Sequence, residues 1–382
     1  MPESDNPVPL RITGAYAKND AYPNVSCRIT ALKEHPYILA QEINCNLLAN
    51  GERSGKLIRT SGNPVLFLIC HLLVFTRFLF SRRPKNVYIP YPAIFFQFLI
   101  SLLPNKMKPE FTILDAFISI YDTVVIDRRL IKQGTWLARL LFKIEQRAFS
   151  TAGKVLVDTS CNREYYASLF NIPPDKFVPV PLATDEHAFR PAPYMITRNK
   201  SIRILFIGTL IPLHGIQTII RAINQLNEHH DLDFHIIGDG QDAGFVQAHA
   251  AGNPHHFQWS RDWHNSTKLN SAITDADICL GIFGSTSKTQ RVCPYKIYHY
   301  ARVGRPVITA RTEWTESIIQ SGIEMPFLLV ECNESERLAD SILSLARSPD
   351  MRLSLADKSQ NFYRHHLAVK ESTGKLYSLL KK

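Results

Sequence analysis

The chain has 382 residues, long for a single core, so two domains are expected. With 45% apolar and 20% charged residues its composition is that of an ordinary soluble globular protein. The formal charge of +10 is uneven: up to Arg190 there are 23 basic against 16 acidic residues, and after it 21 against 18. Seven cysteines (Cys27, Cys45, Cys70, Cys161, Cys279, Cys293 and Cys332) form no CxxC pair and no short repeat, which excludes a zinc site or disulfide frame and reads as reduced thiols in the cytoplasm. The polar start, with Glu3 and Asp5, is unlike a secretory signal. Two apolar runs fall short of the roughly 20 residues a membrane span needs. Val65–Phe75 is followed by Arg77, and Ala93–Leu103 is hemmed in by Pro90, Pro92 and Pro104.

In chain order, Leu10–Thr13 reads as a first strand ending at Gly14, then Pro64–Phe80 as a helix and Val87–Ile89 as a buried strand. Ala93–Leu103 is helical, Phe111–Leu114 a strand, Trp136–Ser150 a helix and Lys154–Val157 a strand. Pro179, Pro181, Pro191 and Pro193 mark the exit from this series, and Pro193–Lys200 suits a linker. A second series starts at Ile202. Strand Ile202–Ile207 ends at Gly208, helix Ile216–Leu226 follows Gly215, and strand Phe234–Ile237 ends in Gly238-Asp239-Gly240. Asp277–Phe283 reads as a further buried strand, helix Tyr295–Val303 closes at Gly304, and Pro306–Ala310 and Phe327–Val330 are later strands. The tail from Pro349 is helical and charged. Strands that end in glycine or polar loops place ligand-binding loops at the carboxyl edge of a parallel sheet.

The ordered text Ile204-Leu-Phe-Ile-Gly208-Thr-Leu-Ile-Pro212-Leu-His214-Gly215, Ile236-Ile-Gly238-Asp239-Gly240, Ala276-Asp277-Ile-Cys-Leu-Gly281 and Gly304-Arg-Pro306-Val-Ile-Thr309 resembles the nucleotide-binding domain of family 4 glycosyltransferases of the GT-B fold. Each piece is short, and their order and spacing together carry the likeness. Ile113-Leu-Asp115, Ser119-Ile-Tyr121-Asp122 and the run Val180–Pro191 look like family text in the first half. The resemblance implies two Rossmann-like domains facing each other across a cleft, residues 1–195 for the acceptor and 196–382 for the nucleotide sugar, with the C-terminal helix returning to the first domain. It also implies retaining sugar transfer without a metal or other cofactor.

A sugar nucleotide brings a diphosphate whose charge grows as the glycosidic bond breaks, so the site needs cations or N–H donors aimed at those oxygens. Gly208 and Gly215 flank a strand-to-helix turn that could bring N–H groups to phosphate, with Gly238 beside it; ordinary turn chemistry is the alternative. Where family members usually carry an Arg and a Lys, this chain has Thr209 and His214. Their usual pair of glutamates maps onto Arg291 and His299. Either the donor site is degenerate, or its cations have moved to Lys288, Arg291 and Lys296, which the spacing puts in a loop and in the first turn of the next helix. Relocation is the favoured reading, since a lysine at a helix start opposes the helix dipole unless an anion compensates it. Solvated surface charges are the alternative. His299 could accept from a ribose hydroxyl or be a core or surface histidine. Glu316 completes the donor-side set.

On the acceptor side, Asp115 and Asp122 are the catalytic candidates, with Gly14 and Tyr121 beside them; an N-cap or a loop salt bridge is the alternative for each carboxylate. The pairs Asp231/Asp233 and Asp275/Asp277 precede strands and read as caps or turns, so no metal site is expected. Between Glu52 and Glu110 there is no acidic residue, while Arg53, Lys56, Arg59, Arg77, Arg82, Arg83, Lys85, Lys106 and Lys108 interleave with seven phenylalanines. Residues 53–109 therefore read as a surface for anionic membrane, each cation giving about 1 kcal/mol, or else as core helices with charged ends. Nothing here resembles a nucleic-acid module. The expected activity is transfer of a sugar from a nucleotide-sugar donor to a lipid-linked or envelope-polysaccharide acceptor at the cytoplasmic membrane face. A donor-site-degenerate GT-B protein acting as a membrane-bound partner, or a nucleotide-sugar epimerase, remain alternatives.

Overall fold

The computed structural model describes residues 7–16, 23–44, 64–196, 201–249, 256–262 and 264–381, the side chains of 64–66 aside. The chain forms two compact units. One runs to Ala183 and takes back the segment from Val369; the other is Thr184–Ala368.

The first unit holds six parallel strands, β1 (Val8–Gly14), β2 (Ile38–Asn44), β3 (Asn86–Ile89), β4 (Phe111–Asp115), β5 (Lys154–Val157) and β6 (Phe177–Pro179), in the order β2-β1-β3-β4-β5-β6. The chain thus goes one way from β1 to β2 and the other way from β3 onward, which makes the β1/β3 gap a topological switch point. Strand β3 is buried throughout, as a central parallel strand covered on both faces must be. The expected strands and helices up to Val157 form, with helices at Pro64–Leu79, Ile94–Leu102 and Trp136–Thr151. The proline text at Phe177 does not yet leave the domain: Phe177–Pro179 is the edge strand β6, where a proline costs no interior ladder bond. The terminal helix Val369–Leu380 packs on helix Pro23–Glu34, with Tyr377 stacked on Tyr37 at 5.8 Å.

The second unit repeats the plan with β7 (Ile202–Ile207), β8 (Leu232–Ile237), β9 (Phe257–Ser260), β10 (Ile278–Leu280), β11 (Val307–Ala310) and β12 (Leu328–Val330), all parallel in the order β12-β11-β10-β7-β8-β9. Its switch point lies between β7 and β10. Helix Ile216–Gln225 buries Ile216, Ile219, Ile220 and Ile223, a helical-period stripe, against this sheet. Strand β10 is shorter than the apolar run Asp277–Phe283 implied. Backbone bonds to β11 nevertheless run on past its end, from Gly281 N to Ile308 O at 2.8 Å and from Ala310 N to Ile282 O at 2.9 Å, and a Cβ on Gly281 would lie 2.3 Å from Thr309 Oγ1.

Candidate active site

In the second unit the carboxyl ends of β7 and β10 meet at the switch point. Gly208 follows β7 with φ 154°, and Gly238 follows β8 with φ 142°. A Cβ on Gly238 would stand 2.0 Å from Gly208 O, so this crossing excludes any side chain. Gly215, in the left-handed region at φ 66°, starts helix Ile216–Gln225, whose N-terminus carries no side-chain cap. Its missing Cβ leaves room for Phe283 and Gly284, 2.4 Å from where that atom would be.

Lys296 enters this edge. It lies in the first turn of helix Tyr295–Val303, is only 6% exposed, and its Nζ donates to Gly281 O at 3.2 Å. The ammonium also sits 3.8 Å from the centre of the Phe206 ring. A Cβ on Gly208 would come within 2.9 Å of Lys296 Nζ and 3.1 Å of His214 Cε1. The structure therefore brings Gly208, Gly238, His214 and Lys296 together at the switch point. Among the described residues no carboxylate pairs with Lys296. Burial holds its pKa well below the ordinary lysine value. His214 donates from Nδ1 to Thr209 O, which fixes the tautomer.

Lys288 and Arg291 are not in a loop. They belong to a short helix, Ser287–Arg291, because Thr286 caps it by accepting from Thr289 N. Thr289 Oγ1 donates to Leu213 O at 3.3 Å, tying this helix to the glycine turn, and both cations are buried. His299 stacks face to face on Phe189, 3.8 Å between centres and 8° between planes, with Tyr295 edge-on at 4.6 Å. Glu316 forms an ion pair with Arg311, which also holds Glu331 at 3.0 Å, beyond the carboxyl end of β11. Asp233 is bound by Ser201 and by His256, and Asp277 accepts from Tyr194 OH and Arg203 N.

In the first unit, Gly14 ends β1 at the other switch point with φ 142°, and a Cβ there would lie 2.5 Å from Ala93 Cβ. Asp115 ends β4 fully buried. Its Oδ2 accepts from Arg28 Nη1 at 2.5 Å and Tyr88 OH at 2.6 Å, and Arg28 Nη2 donates to Pro181 O at 2.6 Å. Burial, and then the Asp115 charge, push the Tyr88 hydroxyl well above its ordinary pKa. Asp122 is also buried and accepts from Tyr165 OH at 3.2 Å, while Tyr121 packs its ring on Phe142 at 5.2 Å.

Two partners here went unread in the sequence. Arg28 lies on the buried face of helix Pro23–Glu34, with Val25, Ile29 and Leu32, where a charged residue interrupts the apolar pattern. Glu145 sits inside helix Trp136–Thr151 and accepts from Ser119 Oγ at 3.0 Å and from Ile120 N and Tyr121 N, both at 2.9 Å, so it clamps the turn after β4. Burial pushes its carboxyl up to about 7, against the pull of those donors. Its place on the Ala138, Ala148 and Phe149 face of an amphipathic helix was the available signal.

Residues 201–348 match the model of the family described as glycosyl transferases group 1. The whole chain shares its fold with solved glycosyltransferases. The chain has the GT-B fold, and the match to the group 1 glycosyl transferases lies within its second unit. HepE from Anabaena, solved in complex with UDP, superposes with TM-score 0.68 at 11% identity, over 98% of this chain and 99% of HepE. Sucrose-phosphate synthase from Thermosynechococcus elongatus gives 0.68 at 13% identity, over 98% of each chain. WaaG, a glycosyltransferase involved in lipopolysaccharide biosynthesis, gives 0.64 at 12% identity, over 98% of this chain and 99% of WaaG. No curated protein sequence matches this one. Among the described residues no helix is long and apolar enough to cross a membrane.

Proposed function

We propose that this glycosyltransferase moves a sugar, with retention, from a nucleoside-diphosphate sugar to a lipid-linked or envelope-polysaccharide acceptor at the cytoplasmic face of an anionic membrane. The observation that carries the donor half is Lys296: a buried ammonium at the switch point of the second sheet, held by one carbonyl and one aromatic ring. A diphosphate there would supply its missing counter-charge. Arg291 and Lys288, on the helix tied to the same turn, add to the field, and the uncapped start of helix Ile216–Gln225 offers N–H donors. These groups replace the divalent ion, so the leaving diphosphate is stabilised by the protein alone. That HepE was solved with UDP and with UDP-glucose supports a uridine donor. In the first unit Asp115 and Asp122 order the acceptor side, with Gly14 and Tyr121 lining it.

The membrane half rests on helix Pro64–Leu79. It buries Cys70, Val74 and Phe78 but leaves Leu68, Ile69, Leu72 and Leu73 exposed along one stripe, continued by Phe80 at 92% exposure. Arg77, Arg82, Arg83 and Lys85 follow this stripe; Arg53, Lys56 and Arg59 lie outside the described residues. The protein is expected to sediment with anionic liposomes at low salt and to be released as salt screens the contact. Arg82, Arg83 and Lys85 changed together to Gln should weaken binding without altering the circular dichroism spectrum. Equal binding to neutral and anionic liposomes would remove the electrostatic account.

A further inference from the structure

We propose a second lipid-docking surface on the first unit, formed by Leu130, Trp136, Leu137 and Leu140 with the cations Arg128, Arg129, Lys132, Arg139 and Lys143, whose partner is an anionic bilayer. It deepens the membrane part of the proposed function but stands on other residues. From Arg128 to Ile144 the sequence has five cations and no acidic residue. Among the described residues none of the five forms an ion pair. Trp136 is 74% exposed and Leu130 61%, with Leu137 and Leu140 also exposed. At 100° per residue, Arg139, Lys143, Trp136, Leu140 and Leu137 fall on one face of helix Trp136–Thr151, the opposite side carrying the buried Ala138, Glu145, Ala148 and Phe149. Exposed tryptophan and leucine rimmed by arginine and lysine is the arrangement of an interfacial helix.

The charges also point to an anion. Lys132 and Arg139 flank the N-terminus of this helix, where no acidic residue occupies the first turn and cations oppose the helix dipole. Arg129 holds the left-handed region at φ 52°, directly before the exposed Leu130. Position gives the surface a use. Strand β4 ends at Asp115 and β5 begins at Lys154, so the helix between them runs back along the sheet and its first turn lies at the carboxyl edge. Docking by Trp136 therefore brings the edge that carries Asp115 and Tyr121 to the lipid surface, where a lipid-linked acceptor would sit.

The test is tryptophan emission of the full chain with vesicles of phosphatidylglycerol and phosphatidylcholine, against phosphatidylcholine alone. Emission should move to shorter wavelength and resist aqueous iodide only with the anionic vesicles, and Trp136→Phe should abolish that change. Trp136→Ser with Leu140→Ser should cut vesicle partition by about tenfold or more, since each large apolar side chain is worth about a decade. Lys132→Gln, Arg139→Gln and Lys143→Gln together should flatten the salt dependence. An unmoved Trp136 signal, with binding abolished by the Arg82/Arg83/Lys85 changes, would overturn this surface and leave the first one standing. No binding to anionic vesicles at all would overturn both. A spectral shift that follows protein concentration without vesicles would assign the face to a second copy instead, and would also overturn the proposal.

Discussion

Replacing Arg28 with alanine is expected to destabilise the first unit by about 3–5 kcal/mol, because it leaves the fully buried Asp115 carboxylate without its cation. Nothing nearby can compensate. Tyr88 already donates to Asp115 Oδ2, Asp115 Oδ1 is buried without a hydrogen-bond partner, and water does not reach the pair. The Pro181 carbonyl loses its donor at the same time. For a unit of this size the loss corresponds to a fall in melting temperature on the order of 10 °C. The double variant Arg28→Ala with Asp115→Asn should recover a large part of it, since a neutral amide is cheaper to bury than an unpaired carboxylate. Thermal denaturation followed by circular dichroism decides the matter. A loss under about 1 kcal/mol, or no recovery in the double variant, would show that Asp115 is not held as a buried ion pair.

The second large effect concerns the donor. Lys296→Ala and Arg291→Ala should each weaken nucleoside-diphosphate binding by roughly ten- to a hundredfold, one charge-assisted hydrogen bond being worth about 1.5–3 kcal/mol. The parent nucleoside should bind each variant about as it binds wild type, and Lys288→Ala should lose less. Lys296 adds a pH signature. Its folded pKa is depressed, so its contribution to stability is present above the ordinary lysine value and lost as pH falls through the lowered one. A bound diphosphate favours the charged ammonium and raises that pKa again. Binding should then take up protons, and affinity should fall as pH rises through the depressed value. Lys296→Ala should flatten this dependence. Unchanged affinity in the Arg291/Lys296 double variant, with its fold intact, would end the idea that the cations have moved here.

How much of this was legible follows from how local each signal is. The glycines after β7 and β8 and at the start of helix Ile216–Gln225 announce themselves, because close backbone crossings such as Gly238 on Gly208 O tolerate no side chain. Lys296 was legible for a related reason: a lysine in a helix's first turn is locally unfavourable and asks for an explanation. The ion pair of Arg28 and Asp115 was not, since 87 residues separate them and only the β1–β4 half of the sheet brings them together. Glu145 was hidden likewise, its three donors lying on a turn about 25 residues upstream. The helix from Ser287 was missed because Thr286, a single capping hydroxyl, decides it. The acid-free run from Arg128 to Ile144 was readable in principle, but exposure of Trp136 and Leu140 is a property of the packed helix.

The most direct test of the central claim is calorimetric titration of the wild-type protein with UDP, GDP, their sugars and the parent nucleosides, all in excess EDTA. At least one nucleoside diphosphate is expected to bind one to a chain without a divalent ion, and at least tenfold more tightly than its nucleoside. Binding that appears only on adding Mg²⁺ or Mn²⁺ would contradict the metal-free site and return Asp231/Asp233 and Asp275/Asp277 to consideration. Failure of every nucleotide and sugar nucleotide to bind would contradict the donor site itself and leave a degenerate GT-B partner as the better description.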